Sequence, residues 1–157
     1  MNKGEDEMVM ESDDEIQVSE KPFKPKILAL TCNWCGYAGI DIAGTMHMQY
    51  PASIRVVKVM CLGRIHPDIV LEAFARGADG VLIVGCQVGD CHYIRGNQFA
   101  EFRMEEMDAM LEGLGIDHRR LKLGFIFAYE GKKFANIVRE FTMEIFRVGP
   151  NLIRIDT

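Results

Sequence analysis

The chain has 157 residues, of which 48% are hydrophobic, and a formal net charge of -5, so it is long enough for one domain with a single hydrophobic core. No basic stretch interleaved with aromatic residues occurs, which argues against nucleic acid as a partner. The longest apolar runs, such as residues 80–85, fall far short of the roughly 18 residues that cross a bilayer. Because the acidic N-terminal region is also unlike a signal peptide, we predict a soluble, cytoplasmic protein without a membrane span.

Acidic residues are concentrated in the first 20 positions, which contain eight Asp or Glu residues against the single Lys3. A segment of this kind has too little apolar surface to fold by itself. We therefore divide the chain into an acidic flexible arm over residues 1–25, a folded domain over residues 26–149 and a C-terminal tail or edge strand over residues 150–157.

Short apolar segments alternate with helical segments after the arm. Strands are predicted at residues 26–31, 54–60, 80–84 and 121–128, and their nearly continuous apolar character is typical of strands that helices cover on both faces. Pro67 and Asp68 favour the first turn of a helix, whereas Gly77 and Gly115 favour helix ends.

Two of the predicted helices have a clear apolar face with spacings of three and four residues. The first face comprises Ala100, Met104, Met107, Leu111 and Leu114, and the second comprises Phe134, Val138, Phe141, Ile145 and Val148. The alternation of strands and helices predicts an α/β fold, with a single doubly wound, mostly parallel sheet of the flavodoxin or Rossmann type. Residues 152–155 are predicted as a fifth edge strand or a docking tail.

The five cysteines all lie at or just beyond the predicted strand ends, as Cys32, Cys35, Cys61, Cys86 and Cys91. In a parallel sheet these ends share one edge, where ligand sites form beside the topological switch point. Cysteines that served only as small buried hydrophobic residues would also occur inside strands and on helix faces. The pattern therefore predicts a metal or redox site at the carboxyl edge of the sheet.

Three chemistries could use these thiols. Cys32 and Cys35 form a C-x-x-C motif between a strand and a helix, as in thioredoxin-like dithiol proteins, but that chemistry leaves three cysteines unexplained. Zinc takes four thiolates, usually from short paired loops in small folds. An iron–sulfur cluster accounts for four thiolates at a functional edge and leaves one cysteine over.

The surroundings of the cysteines lead to further expectations. Helix N-termini at this edge are expected to lower the thiol pKa values. Backbone is expected to approach sulfur closely at four glycines: Gly36, Gly39, Gly85 and Gly89. Trp34 and Tyr37 are candidates for shielding the site or anchoring a partner, and a backbone hydrogen bond is the favoured role for His92.

Three blocks of sequence resemble the delta subunit of methyl-viologen-reducing hydrogenase, the iron–sulfur subunit that accompanies heterodisulfide reductase in methanogenic archaea. They are residues 32–39 (CNWCGYAG), residues 59–64 (VMCLGR), and residues 85–93 (GCQVGDCHY) with Gly96 and Asn97. The resemblance spans about residues 26–149 and includes all five cysteines. The acidic arm departs from the family pattern.

The resemblance implies a [2Fe–2S] cluster that relays electrons from hydrogenase, or in some relatives formate dehydrogenase, to the flavin-containing subunit of heterodisulfide reductase. That assembly couples heterodisulfide reduction to ferredoxin reduction by electron bifurcation during methanogenesis. The chain is then an electron-transfer subunit of an oxidoreductase complex that is not catalytically complete alone. Four of the five cysteines are the expected ligands, and Arg64 and Arg95 are candidates for compensating the cluster charge.

Overall fold

A computed structural model describes residues 22–153, and the predicted acidic arm lies almost entirely outside the described residues. Strands and helices alternate along the chain as β1 (Ile27–Cys32), α1 (Cys35–Thr45), β2 (Ile54–Val59), α2 (Pro67–Ala75), β3 (Gly80–Cys86), α3 (Gly96–Gly113), β4 (Leu121–Ile126) and α4 (Gly131–Val148). Short 3₁₀ turns precede α2 and β4, at Leu62–Arg64 and His118–Arg120. This order confirms the predicted α/β fold.

The four strands form one parallel sheet in the order β2-β1-β3-β4. Every residue of β3 is buried, whereas the edge strand β2 has exposed positions, because only the central strands have neighbours on both sides. The chain places β2 on one side of β1 and then places β3 and β4 on the other side, so the strand order reverses between β1 and β3. This point is the topological switch point, where open α/β sheets form their ligand sites.

Helices cover both faces of the sheet and divide the core into two clusters. Residues of α2 and α3, including Phe74, Met107 and Leu111, pack on one face. Residues of α1 and α4, including Ala43 and Phe141, pack on the other face. The result is the three-layer arrangement that the sequence predicts.

The predicted apolar faces are largely correct. On α4, four members of the face, at positions 134, 138, 141 and 145, are fully buried. The prediction is wrong for Leu114, which is 56% exposed and follows the last residue of α3. Gly115 has φ of +73°, so the chain leaves the helix there and Leu114 turns away from the core.

Strand boundaries differ most at the carboxyl edge. Strand β3 continues two residues beyond its predicted end and includes Cys86. Strand β4 ends at Ile126, before its predicted end, because the backbone N–H of Phe127 donates to the Glu130 carboxylate in the turn that enters α4. Residues 151–153 form no strand in the described part of the chain, and residues 154 and 155 lie outside it, so the fifth strand stays a prediction.

Candidate functional site

All five cysteines lie at the carboxyl edge of the sheet. Cys32 and Cys86 are the last residues of β1 and β3, the two strands that flank the switch point. Cys35 is the first residue of α1. Cys61 follows β2 and precedes the 3₁₀ turn, and Cys91 lies in the connection between β3 and α3.

Cys32 and Cys86 form a direct sulfur pair, with 3.6 Å between their Sγ atoms. Both side chains are buried, because adjacent central strands end here beneath the loops. The backbone N–H of Gly36 donates to Cys32 Sγ at 3.1 Å. A Cβ on Gly36 would lie 2.5 Å from the Val84 carbonyl oxygen, so only glycine allows this close approach.

Cys61 and Cys91 form a second pair, which lies against the first turn of α3. A Cβ on Gly96 would overlap Cys61 Sγ and would lie 3.2 Å from Cys91 Sγ. The two half-buried thiols also interact electrostatically with each other. Gly96 is therefore the position that admits both sulfurs to the same space.

The two pairs line one small cavity. Cys32, Cys61, Cys86 and Cys91 surround a space of about 10 Å³, which Trp34 and neighbouring side chains close. Cys35 does not line it. Its Sγ lies 3.9 Å from Asp90 Oδ2, and it lines an adjacent, more open pocket, but its thiol also interacts with that of Cys86.

The thiol pKa values differ strongly within the site. The hydrogen bond from Cys32 lowers the pKa of Cys86 to about 5. Burial alone would raise this pKa, but the backbone N–H groups of Cys35 and His92 also lower it. The same hydrogen bond, together with burial, raises the pKa of Cys32. Burial raises the pKa of Cys35 to about 12 and also raises the pKa of Cys61, against the lowering effect of the Gly63 N–H group. The expected general lowering is therefore found at Cys86 and is wrong for Cys32, Cys35 and Cys61. At Cys32 the hydrogen bond with Cys86 outweighs the backbone donors, and at Cys35 and Cys61 desolvation does.

Two side chains to which the sequence analysis assigned no role hold the cysteine loops in place. The buried amide of Asn97 donates to the carbonyl oxygens of Cys86 and Gln87, at 3.0 Å and 2.8 Å. The Arg103 guanidinium donates to the carbonyl oxygens of Gly63 and Ile65, at 2.7 Å and 3.1 Å. Both residues belong to α3, which thereby fixes the loops after β2 and β3 to one helix. Asn97 could have been found from the sequence, because it belongs to the third block of the family resemblance. No sequence pattern pointed to Arg103.

Aromatic side chains cover the outer side of the site. The rings of Trp34 and His92 stack with centroids 3.6 Å apart, and Tyr93 lies edge-on to Trp34. Trp34 remains 37% exposed and Tyr93 46% exposed. The shielding role predicted for Trp34 is consistent with this position. The His92 side chain stacks on the Trp34 indole ring and makes no hydrogen bond to the backbone of the described residues, contrary to our expectation. The backbone N–H of His92, in contrast, contributes to lowering the pKa of Cys86.

The structure also places the other residues that the sequence analysis named around the site. Tyr37 contacts the Lys58 ammonium, 4.6 Å from the ring centroid. Arg64 and Arg95 are exposed, and their role in charge compensation stays a prediction. Of the four glycines expected near sulfur, Gly36 is confirmed, whereas Gly39 and Gly85 instead admit the side chains of Ile126 and Leu62. Gly89, with φ of +89°, forms a turn and has open space around its Cα.

The chemistry of the donor set fits a metal cluster. Four thiols with backbone N–H donors nearby are suited to iron–sulfur or zinc ligation. Within residues 22–153, however, no group of three or more His, Cys, Asp or Glu side chains has the arrangement of a ready-made metal site. The sulfurs contact each other around a cavity of about 10 Å³, which is close to the minimum for one water molecule. The four sulfurs would have to move apart to bind anything larger.

Fold and site together define a class: a doubly wound α/β domain that gathers thiols at its switch point for redox or metal chemistry. The chain belongs to the family described as methyl-viologen-reducing hydrogenase, delta subunit, whose model matches residues 27–149. This match confirms the resemblance that the three cysteine blocks carry.

Individual relatives agree with the family match. The chain is 45% identical over 135 residues to the vhc iron-sulfur subunit of the F420-non-reducing hydrogenase of Methanococcus voltae, covering 86% of this chain and 94% of the relative. It is 42% identical over 128 residues to the iron-sulfur subunit of the F420-non-reducing hydrogenase of Archaeoglobus profundus, covering 82% of this chain and 93% of the relative.

A third relative is much longer. The chain is 44% identical over 126 residues to a subunit of the ferredoxin:CoB-CoM heterodisulfide reductase of Methanosarcina mazei, covering 80% of this chain. The aligned region spans only 16% of that relative's length. A domain of this family is therefore found in two settings, within a larger reductase chain and as a separate hydrogenase subunit. Across the described residues, no helix is long and apolar enough to cross a membrane.

Proposed function

We propose that this protein is a [2Fe–2S] electron-transfer subunit that connects a hydrogenase to a heterodisulfide reductase. The observation that carries the proposal is the arrangement of four cysteine sulfurs in two pairs around one cavity at the switch point. A [2Fe–2S] cluster binds four cysteine thiolates and supplies reversible electron transfer when bound. Relatives named as iron-sulfur subunits support the general class of cofactor.

The proposed ligands are Cys32 and Cys86 from one pair, and Cys61 and Cys91 from the other. Cys35 is proposed as the cysteine left over, because it lies outside the shared cavity and beside the Asp90 carboxylate.

The polypeptide would hold and tune the cluster in three ways. Asn97 and Arg103 fix the loops that carry the ligands. Backbone N–H groups near the sulfurs, such as that of Gly36, stabilise negative charge and influence the reduction potential. Trp34 and His92 limit the access of water from outside.

The proposed partners follow from the relatives. Hydrogenase subunits would donate electrons, and a flavin-containing heterodisulfide reductase subunit would accept them, because the same domain is found in both kinds of relative. Formate dehydrogenase as an alternative donor, electron bifurcation in the assembled complex and a cytoplasmic location are parts of the same proposal. The protein would act as one component of a complex and not as a complete enzyme.

Dithiol exchange of the thioredoxin type is a poorer explanation. The first cysteine of the C-x-x-C motif, Cys32, is only 2% exposed, so another thiol or disulfide cannot reach it. An exchanging thiol must be accessible and readily ionised. In addition, the Cys32 sulfur pairs with Cys86 rather than with Cys35.

The ligand set can be tested with five Cys→Ser variants purified without oxygen. We expect substitution at Cys32, Cys61, Cys86 or Cys91 to remove most of the bound iron, acid-labile sulfide and visible absorption. Cys35→Ser is the matched control and should keep all three. Full iron content in the Cys61, Cys86 and Cys91 variants would show that the site is elsewhere.

The role as a relay can be tested through exposure to air. Partners that cover Trp34 and Tyr93 should protect the cluster from oxygen, so the isolated protein should lose its visible spectrum faster than the assembled complex does. Equal rates of loss would argue that the carboxyl edge is not an interface.

A further inference from the structure

A large groove lies at the opposite, amino edge of the sheet. It is formed by the segment that enters β1, the turn before β2 and the ends of α2 and α4, and it has a volume of about 930 Å³. Its apolar part includes the Phe23 and Phe146 rings, whose centroids are 6.0 Å apart, and Phe146 is 60% exposed. The proposed cluster site does not use this surface.

The charges around the groove have one sign. Lys24, Lys26, Arg55 and Arg76 line it, and none of the described residues that line it is acidic. Arg76 pairs with Glu72, whereas the other three cations form no ion pair with the described residues. The fold thus gathers positive charge that is not evident from the nearly neutral composition of residues 22–153.

A polar group also lacks a partner in this groove. Ser53 lines it, and the Ser53 hydroxyl is buried without a hydrogen-bond partner in the described part of the chain. Buried hydroxyl groups are normally satisfied. The Ser53 oxygen is itself buried, so the groove presents positive charge and apolar surface, rather than this hydroxyl, to a single occupant.

We propose that the occupant is the acidic segment of this same chain, residues 1–21. That segment contains eight acidic residues interspersed with apolar ones, among them Met8, Val9, Ile16 and Val18. It is the only stretch of the chain with this excess of negative charge, and it complements both the cations and the apolar floor of the groove.

Connectivity favours this occupant over an external one. The segment joins the described residues at Pro22, immediately before Phe23 in the groove lining. A tether this short gives an effective concentration on the order of millimolar, so weak ion pairs suffice for substantial occupancy. Residues 11–18 lie at most about 40 Å of extended chain from Pro22, which is enough to fold back along the groove.

Protease protection of the full chain tests the proposal. A glutamate-specific protease cleaves after Glu15, and a bound segment is cleaved only when it opens. Neutralising the groove with Lys26→Gln and Arg55→Gln should raise the cleavage rate at Glu15 by about fivefold at low salt, and the difference should shrink at high salt. The matched control, Lys132→Gln with Arg139→Gln, changes two exposed cations that do not line the groove and should have no effect.

A charge exchange makes the test independent of any effect on folding. Asp13→Lys with Asp14→Lys in the segment should raise cleavage, and combining it with Lys26→Glu and Arg55→Glu in the groove should restore protection. Equal cleavage in all variants, or an equal increase from the control pair, would overturn the proposal. Protection that is lost on dilution, or that requires added hydrogenase or reductase subunits, would mean that another chain occupies the groove. Either result would overturn the proposal.

Discussion

At the carboxyl edge of the sheet, buried thiols contact one another beneath a cover of loops and aromatic rings, whereas at the amino edge Arg120, Asp79 and Asn151 form a buried network of hydrogen bonds. The Arg120 guanidinium donates to the carbonyl oxygens of Asp79, Gly149 and Pro150, at 2.9–3.0 Å. The Asp79 carboxylate accepts from the backbone N–H groups of Lys26 and Asn151, at 2.8 Å and 2.9 Å. This network fastens the end of α4 to the start of β3.

The carboxyl edge contains features that cost stability. Ile94 has φ of +70°, a conformation that is unfavourable for a β-branched residue. Each edge has one buried hydroxyl without a hydrogen-bond partner among the described residues, Thr31 at the carboxyl edge and Ser53 at the amino edge. The carboxyl edge in addition holds the buried Cys32 and Cys86 sulfurs in contact with each other. The difference indicates that the amino edge stabilises the domain while the carboxyl edge is arranged for binding.

The largest effect on stability is expected at the amino edge. Arg120→Met removes three hydrogen bonds to carbonyl groups and the positive charge beside Asp79, so the free energy of unfolding should fall by about 3 kcal/mol. Urea denaturation of the cluster-free protein measures this change. Arg119→Met, which alters the exposed neighbour, should change the midpoint little. Similar midpoints for the two variants would contradict the stabilising role of the network.

A smaller loss of stability, together with loss of most of the bound iron, is expected on substitution of Gly96. Gly96→Ala places a methyl group against the sulfurs of Cys61 and Cys91, which should cost about 1–3 kcal/mol through overpacking and remove most of the bound iron. Gly113→Ala is the control in the same helix, because its added methyl group meets no atom within 4 Å. Iron content and urea midpoint should both be unchanged or higher in the control. Normal iron binding by Gly96→Ala would show that the second sulfur pair is not part of the site.

The smallest effect is a gain of stability at Ile94. Ile94→Gly relieves the left-handed conformation, and after allowance for the greater freedom of glycine in the unfolded chain we expect a gain of about 0.5–1 kcal/mol. The Ile94 side chain is 79% exposed, so little packing is lost. Ile94→Ala, which keeps a Cβ, should gain less. A loss of stability in Ile94→Gly would show that this loop is not strained.

Much of the fold could be predicted from local patterns. The apolar runs and helix faces indicated the order of elements, because strand and helix periodicities depend on neighbouring residues. The gathering of Cys32, Cys61 and Cys86 at one edge followed from parallel topology alone. The family resemblance then rested on the same cysteine blocks.

The detailed site could not be predicted in this way. The pairing of Cys32 with Cys86 depends on the strand order, which places β1 beside β3. The support from Arg103 depends on a contact with residues about 40 positions earlier in the chain, at Gly63 and Ile65. The positive groove likewise arises only when Lys26, Arg55 and Arg76 come together in three dimensions. Local periodicity contains none of these long-range relationships.

The most direct test of the proposed function is the iron and acid-labile sulfide content of the protein purified without oxygen. Four thiolates in two pairs predict about two irons and about two sulfides per chain, with a brown colour. Four irons per chain, or zinc without sulfide, would contradict the proposed [2Fe–2S] site.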